Sequence, residues 1–352
     1  MQVIITSPSL DPNKNVSGIS AVTQFIIDNN KEIDYVHFEQ GRKDGEQGGL
    51  MRIKSLAKSL RDWKSLMKKY PNAIVHYNFP LELFAIIRDT IFLHYTKGHR
   101  TIIHIHGGNY LMADRIPWLI NLLLRHLFTK DVPFVVLSEL EKAKLQHDYN
   151  VKDISVLPNC PDLNDAKTYV RLKNLDKSLT IGYLGRICKE KGMQELLDAC
   201  RLLKEKNIDF KLRIAGKEDS TDFIPMFQKY LGVQFEYCGI VSGKDKSNFL
   251  KSLDIFILPS YYEGLPMSLL ESMGFGVVPI CTNVGSIGEV VEDGKSGLFI
   301  KKYSSQDIAK QIEKLYNKRN LIVTLSSGAL NAISEKFDSQ LYIDTLNELY
   351  TR

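Results

Sequence analysis

Two carboxylates flank a loop-to-helix junction in the run Tyr261-Tyr262-Glu263-Gly264-Leu265-Pro266-Met267-Ser268-Leu269-Leu270-Glu271. Pro266 suits the first position of a helix and Gly276 the position beyond its end, so the spacing predicts a helix over 266–275. The backbone N–H groups of Gly264, Leu265, Met267 and Ser268, with the positive end of the helix dipole, would make an anion pocket. Glu263 and Glu271 add acceptors for hydroxyl groups. An acidic surface beside an amide-rich one is what a sugar diphosphate needs. Carboxylates in early helical turns also stabilise the dipole alone, by ~0.3–1 kcal/mol each, so the neighbourhood decides. Residues 254–260 read as a buried strand, and ligands of open α/β sheets bind at strand C-terminal ends.

Other residues with chemistry stand at comparable junctions. Gly185-Arg186 follows an apolar run and Lys191-Gly192 begins the next amphipathic segment, which brings two cations to a strand end beside a helix start. In the first half, Gly18 within Asn15-Val16-Ser17-Gly18-Ile19-Ser20 allows close backbone approach between a strand and a helix. His106, followed by Gly107-Gly108, ends the run from 101. His104 shares its side by alternation but lies deeper and reads as core. His76, His94, His99 and His126 carry no assigned role. No Asp-x-Asp stands at a strand end, Asp162-Leu163-Asn164-Asp165 has the wrong spacing for one, and no His/Cys cluster suggests zinc. No metal or other cofactor is therefore expected.

Leu258-Pro259-Ser260, the Glu263-x7-Glu271 pair, 276–280, 285–291 and 293–298 together resemble the donor domain of family 4 retaining glycosyltransferases, among the glycosyl transferases group 1. The resemblance continues through 182–186, 190–192 and 212–216 and spans nearly all of the second half. The first half resembles the family only in places, since Ser17-Gly18 stands where most members have paired glycines. The resemblance implies the GT-B architecture of two Rossmann-like domains facing across a cleft, with Arg186 and Lys191 on the donor diphosphate and Gly18 near the phosphates. It also implies His106 beside the transferred sugar, Glu263 orienting that sugar and Glu271 holding the nucleotide ribose. Same-face attack by the acceptor, with the leaving phosphate taking its proton, is the implied retaining mechanism. UDP is the expected carrier on family frequency, with GDP second. Arg186, Lys191 and the helix N-terminus would serve in place of a metal.

The elements that must position these residues follow an α/β pattern, with short apolar runs alternating with longer amphipathic ones. Strands are expected at 3–6, 35–39, 73–78, 101–106, 134–138 and 154–157, and again at 179–184, 210–215, 234–238, 254–259, 277–281 and 298–300. The turn-rich stretch 158–165 and the polar segment to Lys177 read as a linker. Domains are expected at 1–165, for the acceptor, and 166–338, for the donor. A final helix over 339–352, with Leu341, Ile343, Leu346, Leu349 and Tyr350 in one stripe, either packs on the first domain, as in the family, or ends the second.

The 352 residues suit two domains, and a hydrophobic share of 44% with 25% charged residues reads as a soluble globular chain. A formal charge of +5 is too small to imply nucleic acid. Five cysteines without a Cys-x-x-Cys pair suggest a reducing compartment, and the opening strand lacks the leader of a secreted chain. A cytoplasmic protein is expected, peripheral on the inner face of the membrane.

The charge is unevenly placed. Residues 52–69 contain seven Lys or Arg against one acid, Asp62, while Ile53, Leu56, Leu60, Trp63, Met67 and Tyr70 recur at helical spacing. This resembles a basic amphipathic helix lying on an anionic membrane, and a saccharide acceptor that is lipid-linked follows from it. The segment 116–128, apolar on most faces, reads either as a second membrane candidate or as a buried helix. Competing functions are a nucleotide-sugar epimerase, which gives no reason for the Glu263-x7-Glu271 pair, and a non-catalytic partner subunit that keeps the fold.

Overall fold

The computed structural model describes residues 1–15, 17–41, 50–107, 110, 116–171, 178–219 and 222–352. The chain divides into two compact units, Met1–Asn159 with Ser339–Arg352, and Cys160–Asp338.

Unit 1 contains β1 (Gln2–Ser7), α1 (Gly18–Asn29), β2 (Asp34–Glu39), α2 (Leu50–Lys69), β3 (Ile74–Phe79), α3 (Leu83–His94), β4 (Thr101–Ile105), α4 (Trp118–Phe128), β5 (Phe134–Val136), α5 (Glu139–Tyr149) and β6 (Ile154–Val156). Its described strands form one parallel sheet in the order β2-β1-β3-β4-β5-β6. Every residue of β3 and β4 is buried, as expected of central parallel strands covered on both faces. Trp63 of α2 packs on Tyr77 and on Phe92 of α3, and α3 packs against α4, whereas Thr23 of α1 bonds to Asn78, the neighbouring β3 residue that points the other way, so α2, α3 and α4 share one face of the sheet and α1 lies on the other.

The apolar stripe of α2 faces the core rather than an outer surface. Trp63 is fully buried among Phe38, Tyr77 and Phe92, and its Nε1–H donates to the Phe92 carbonyl at 3.1 Å. Met67 is buried with it, and Leu60 and Tyr70 pack against the same cluster, so only Ile53 and Leu56 of the stripe are exposed. This corrects the expectation of a stripe lying on a membrane: apolar periodicity marks the buried face of a helix but does not say what buries it.

The C-terminal helix, Ser339–Thr351, belongs to unit 1. Asn30 Nδ2 donates to Asn347 Oδ1 at 2.7 Å, the rings of Phe25 and Tyr342 meet at 5.6 Å, and Arg100 donates to the Leu349 carbonyl at 3.1 Å.

Unit 2 contains α6 (Asn164–Lys167), β7 (Leu179–Leu184), α7 (Met193–Glu205), β8 (Phe210–Ala215), α8 (Phe223–Leu231), β9 (Phe235–Tyr237), α9 (Gly243–Lys251), β10 (Ile255–Leu258), α10 (Met267–Gly274), β11 (Val278–Thr282), β12 (Leu298–Ile300), α11 (Ser305–Asn317) and α12 (Arg319–Lys336). Its sheet is also parallel, in the order β12-β11-β10-β7-β8-β9. Strand order reverses between β7 and β10, which opens a crevice at their C-terminal ends. The unit begins at Cys160, ahead of the boundary expected at 165, because the following segment is bound to it. Ser247 Oγ donates to Asp165 Oδ2 at 2.6 Å, and the Arg171 guanidinium donates to the carbonyls of Leu253 at 2.5 Å and Phe275 at 2.9 Å.

Candidate functional site

At the crevice between β7 and β10 the structure brings together Lys191 and Glu263, two of the second-half residues singled out from sequence. The Lys189–Lys191 turn after β7 and the Tyr261–Gly264 loop after β10 meet there, with the Tyr261 N–H donating to the Glu190 carbonyl at 2.9 Å. Gly192 makes this approach possible. Its φ is +74°, and a Cβ on it would run into the carbonyl oxygen of Pro259. On the other side, Gly285 at φ +57° lies so close to the Glu263 carbonyl that a side chain could not fit, and the Ser286 N–H donates to the Gly264 carbonyl at 3.0 Å. The Glu263 loop is thus clamped between two loops, and Tyr261 holds it further by donating to Glu195 Oε1 at 2.7 Å.

Within this frame Lys191 Nζ donates to Glu263 Oε1 at 2.6 Å, both side chains being largely buried. The family resemblance implies separate tasks for the two residues; the structure pairs them. Glu271, in the second turn of α10 and 6% exposed, accepts from Lys246 Nζ at 2.6 Å. Lys246 lies on α9, and nothing in its own segment signalled that it would reach Glu271. Arg186 stands two residues beyond the end of β7 and is exposed, while its carbonyl accepts from the buried Tyr183 hydroxyl at 2.6 Å.

Gly264, Leu265, Met267 and Ser268 form the approach to α10. Pro266 is the cap residue, with φ −73° and ψ 121°, rather than the first helical residue. An extended Pro266 starts the helix one residue later than expected, so Met267 and Ser268 present first-turn amides. These amides and two alternating carboxylate–ammonium pairs can receive an anion and hydroxyl groups side by side. Among the described residues, no group of three or more His, Cys, Asp or Glu side chains could hold a metal ion.

In unit 1, Gly18 is the first residue of α1, and no atom approaches where its Cβ would be. Val16 and Gly108, quoted with the neighbouring motifs, lie outside the described residues. His106 stands after β4 with Nε2 2.7 Å from Asn78 Oδ1. Asn78 Nδ2 donates to the Thr6 carbonyl at 2.7 Å and to Thr23 Oγ1 at 3.0 Å, so Oδ1 is the acceptor and His106 carries its proton on Nε2. Burial, then the neighbouring His76, pushes the His106 pKa down to about 3, so the ring is neutral at pH 7.

His104 and His76, left without a functional role in the sequence reading, continue from His106. The His104 and His106 rings lie 4.1 Å apart, His104 Nδ1 is 3.1 Å from His76 Nε2, and His76 Nδ1 is 2.6 Å from the Tyr350 hydroxyl. Burial pushes His76 down to about 4 and holds His104 well below the usual histidine range. Alternation along β3 and β4 put these side chains on one face, yet nothing local indicated that Tyr350, far along the chain, would close the row.

Residues 167–330 match the family described as Glycosyl transferases group 1. This segment is a group 1 glycosyltransferase domain. Over 184 residues the chain is 28% identical to the capsular polysaccharide biosynthesis glycosyltransferase CapM of Staphylococcus aureus, covering 51% of this chain and 47% of that protein. It is 26% identical over 179 residues to the N,N'-diacetylbacillosaminyl-diphospho-undecaprenol alpha-1,3-N-acetylgalactosaminyltransferase of Campylobacter jejuni, covering 51% of this chain and 46% of that protein. The chain thus spans about half the length of these curated relatives. Its fold resembles that of Anabaena HepE, solved in complex with UDP-glucose, with a TM-score of 0.75 at 15% identity over 100% of this chain and 99% of that one. Two Rossmann-like units with six-stranded parallel sheets are the GT-B fold class expected from sequence.

Proposed function

We propose that this chain is a retaining glycosyltransferase that moves a sugar from a nucleotide sugar, UDP-linked in preference to GDP-linked, to a saccharide acceptor in surface polysaccharide or glycoconjugate assembly. The observation that carries this reading is the convergence of Glu263, Lys191 and the α10 N-terminus at the point where strand order reverses in unit 2. Lys191, Arg186 and the first amides of α10 neutralise a diphosphate, while Glu263 and Glu271 accept from sugar and ribose hydroxyls. The UDP-glucose bound by the structurally similar HepE supports a UDP-linked donor. The diphospho-undecaprenol in the Campylobacter relative's name supports a lipid-linked saccharide as the acceptor.

In the proposed reaction the bond between the anomeric carbon and the phosphate oxygen breaks as the acceptor oxygen bonds to the same face of that carbon, and the acceptor's proton passes to the leaving phosphate. The transition state carries positive character on the sugar. Charge on the departing phosphate is met by Lys191, Arg186 and the helix N-terminus, without a metal. In unit 1 the neutral His106, its tautomer set by Asn78, offers a fixed hydrogen-bonding ring to a saccharide hydroxyl.

A thermal-shift panel of UDP- and GDP-sugars tests the donor site. At a hundredfold excess over Kd the donor adds about 2.7 kcal/mol of stability, and Glu271→Ala abolishes the shift. Transfer then proceeds unchanged in EDTA. A panel in which no nucleotide sugar raises Tm sinks the donor reading, and binding with neither transfer nor hydrolysis leaves a non-catalytic partner subunit.

A further inference from the structure

The α2 stripe is buried, yet the same face of unit 1 exposes apolar side chains on the next two helices. Phe84, Ile87 and Ile91 recur at helical spacing on α3, Phe84 being 67% exposed, and Trp118, Leu119 and Leu122 line the outer side of α4, Trp118 being 78% exposed. Scattered exposed apolar residues are ordinary, but large aromatic and aliphatic side chains grouped on adjoining helices mark a contact surface. The three helices adjoin: α3 packs against α4, and Lys64 of α2 lies over the Tyr95 ring at 4.0 Å, just beyond the end of α3. Thr90, Ile91, His94 and Tyr95 line a shallow groove with His126 and Lys130.

Charge identifies the occupant. From 53 to 69, α2 carries Lys54, Lys58, Arg61, Lys64, Lys68 and Lys69 against the single acid Asp62, and Lys97 and Lys130 follow the ends of α3 and α4. On α3 the one acid, Asp89, is buried and paired with Arg88. A second copy of the chain docking two-fold through this face would set cations against cations. An anionic bilayer offers phosphates to the lysines and an acyl boundary to the aromatic and aliphatic side chains.

We propose that α2, α3 and α4 form an interfacial membrane-binding surface, in which Phe84 and Trp118 enter the headgroup–acyl boundary of an anionic bilayer and the α2 cations meet its phosphates. No described helix is long and apolar enough to cross a membrane, so the contact is with the membrane surface. The proposal deepens the lipid-linked acceptor reading but is measured without any substrate. It also reassigns the labour expected from sequence: α2 supplies charge, and α3 and α4 supply insertion.

The test uses the full chain with vesicles of phosphatidylcholine alone or mixed with phosphatidylglycerol. Co-sedimentation is expected with the mixed vesicles and at least tenfold weaker with phosphatidylcholine. The chain has two tryptophans, of which Trp63 is buried, so a blue shift of emission on binding reports Trp118 and disappears in Trp118→Phe. Phe84→Ser with Trp118→Ser, both at exposed positions, lowers vesicle binding at least tenfold while the UDP-sugar thermal shift stays as in the wild type. Wild-type vesicle binding by that double variant overturns the proposal. So does binding to neither vesicle, or a dimer in sedimentation velocity that the double variant dissociates. Loss of the nucleotide shift with vesicle binding intact would instead count against the donor reading alone.

Discussion

At the scale of single residues, the candidate donor site is organised by pairing. Glu263 holds Lys191, and Glu271 holds Lys246, each at 2.6 Å. Arg186 with Lys191, and Glu263 with Glu271, stand out in the sequence because each pair lies within one short motif at a strand-to-helix junction. Lys246 and Asn78 do not, since each reaches its partner across the fold: Lys246 from α9 to α10, Asn78 from β3 to the end of β4. The Lys191–Glu263 pair has a consequence for variants. Glu263→Gln keeps the shape of the side chain and its capacity to accept from a hydroxyl, but removes the charge that fixes Lys191. If Lys191 acts on the leaving phosphate, loss of that preorganisation lowers kcat by about 10²-fold or more, the scale of removing one donor from a preorganised electrostatic site. The donor's thermal shift is retained, because Glu271 and the α10 amides remain. Wild-type turnover by Glu263→Gln in a radiolabelled-sugar transfer assay would remove the pair from the mechanism.

At the scale of elements, strand positions followed from apolar runs, while their ends did not. Residues 134–138 read as strand, but β5 stops at Val136 and Ser138 caps α5, its Oγ accepting from the Glu141 N–H at 3.1 Å. A small polar residue at a strand end serves the next helix as readily as the strand. The destination of the C-terminal helix was undecidable from its stripe, because an apolar face does not name its partner. Its contacts in unit 1 end at Tyr350, whose hydroxyl lies 2.6 Å from His76 Nδ1 and 3.4 Å from the Tyr35 hydroxyl. Tyr350→Phe keeps the ring and leaves His76 Nδ1 buried without its partner, at a cost of about 1–3 kcal/mol. The expected result in chemical denaturation is a lower midpoint for unit 1, with the UDP-sugar shift carried by unit 2 unaltered. An unchanged midpoint would show that the hydroxyl contributes nothing net to anchoring this helix.

At the scale of the whole molecule, the two units differ in a way composition alone conceals. All eight histidines lie within residues 37–147, so unit 2 has none. In unit 1, burial holds His37 and His104 below the usual histidine range and pushes His76 down to about 4 and His106 down to about 3. The unfolded chain takes up protons near the ordinary histidine pKa of ~6.5, and the folded unit does not follow until far lower pH. Stability from these neutral rings is therefore complete above pH ~6.5 and is lost as pH falls toward the folded values. The slope is at most about 1.4 kcal/mol per pH unit for each ring that stays neutral in the folded state. Carboxylates, whose ordinary values lie near pH 4, govern unit 2; Glu236, held down to about 2 by Arg213 and Lys211, extends that range lower still. Between about pH 6.5 and 5, scanning calorimetry should show the unit 1 transition falling while that of unit 2 holds. Replacing His76, which is wholly buried, with Phe should flatten the fall, whereas two transitions falling in parallel would mean that the histidine row is not what makes the protein acid-sensitive.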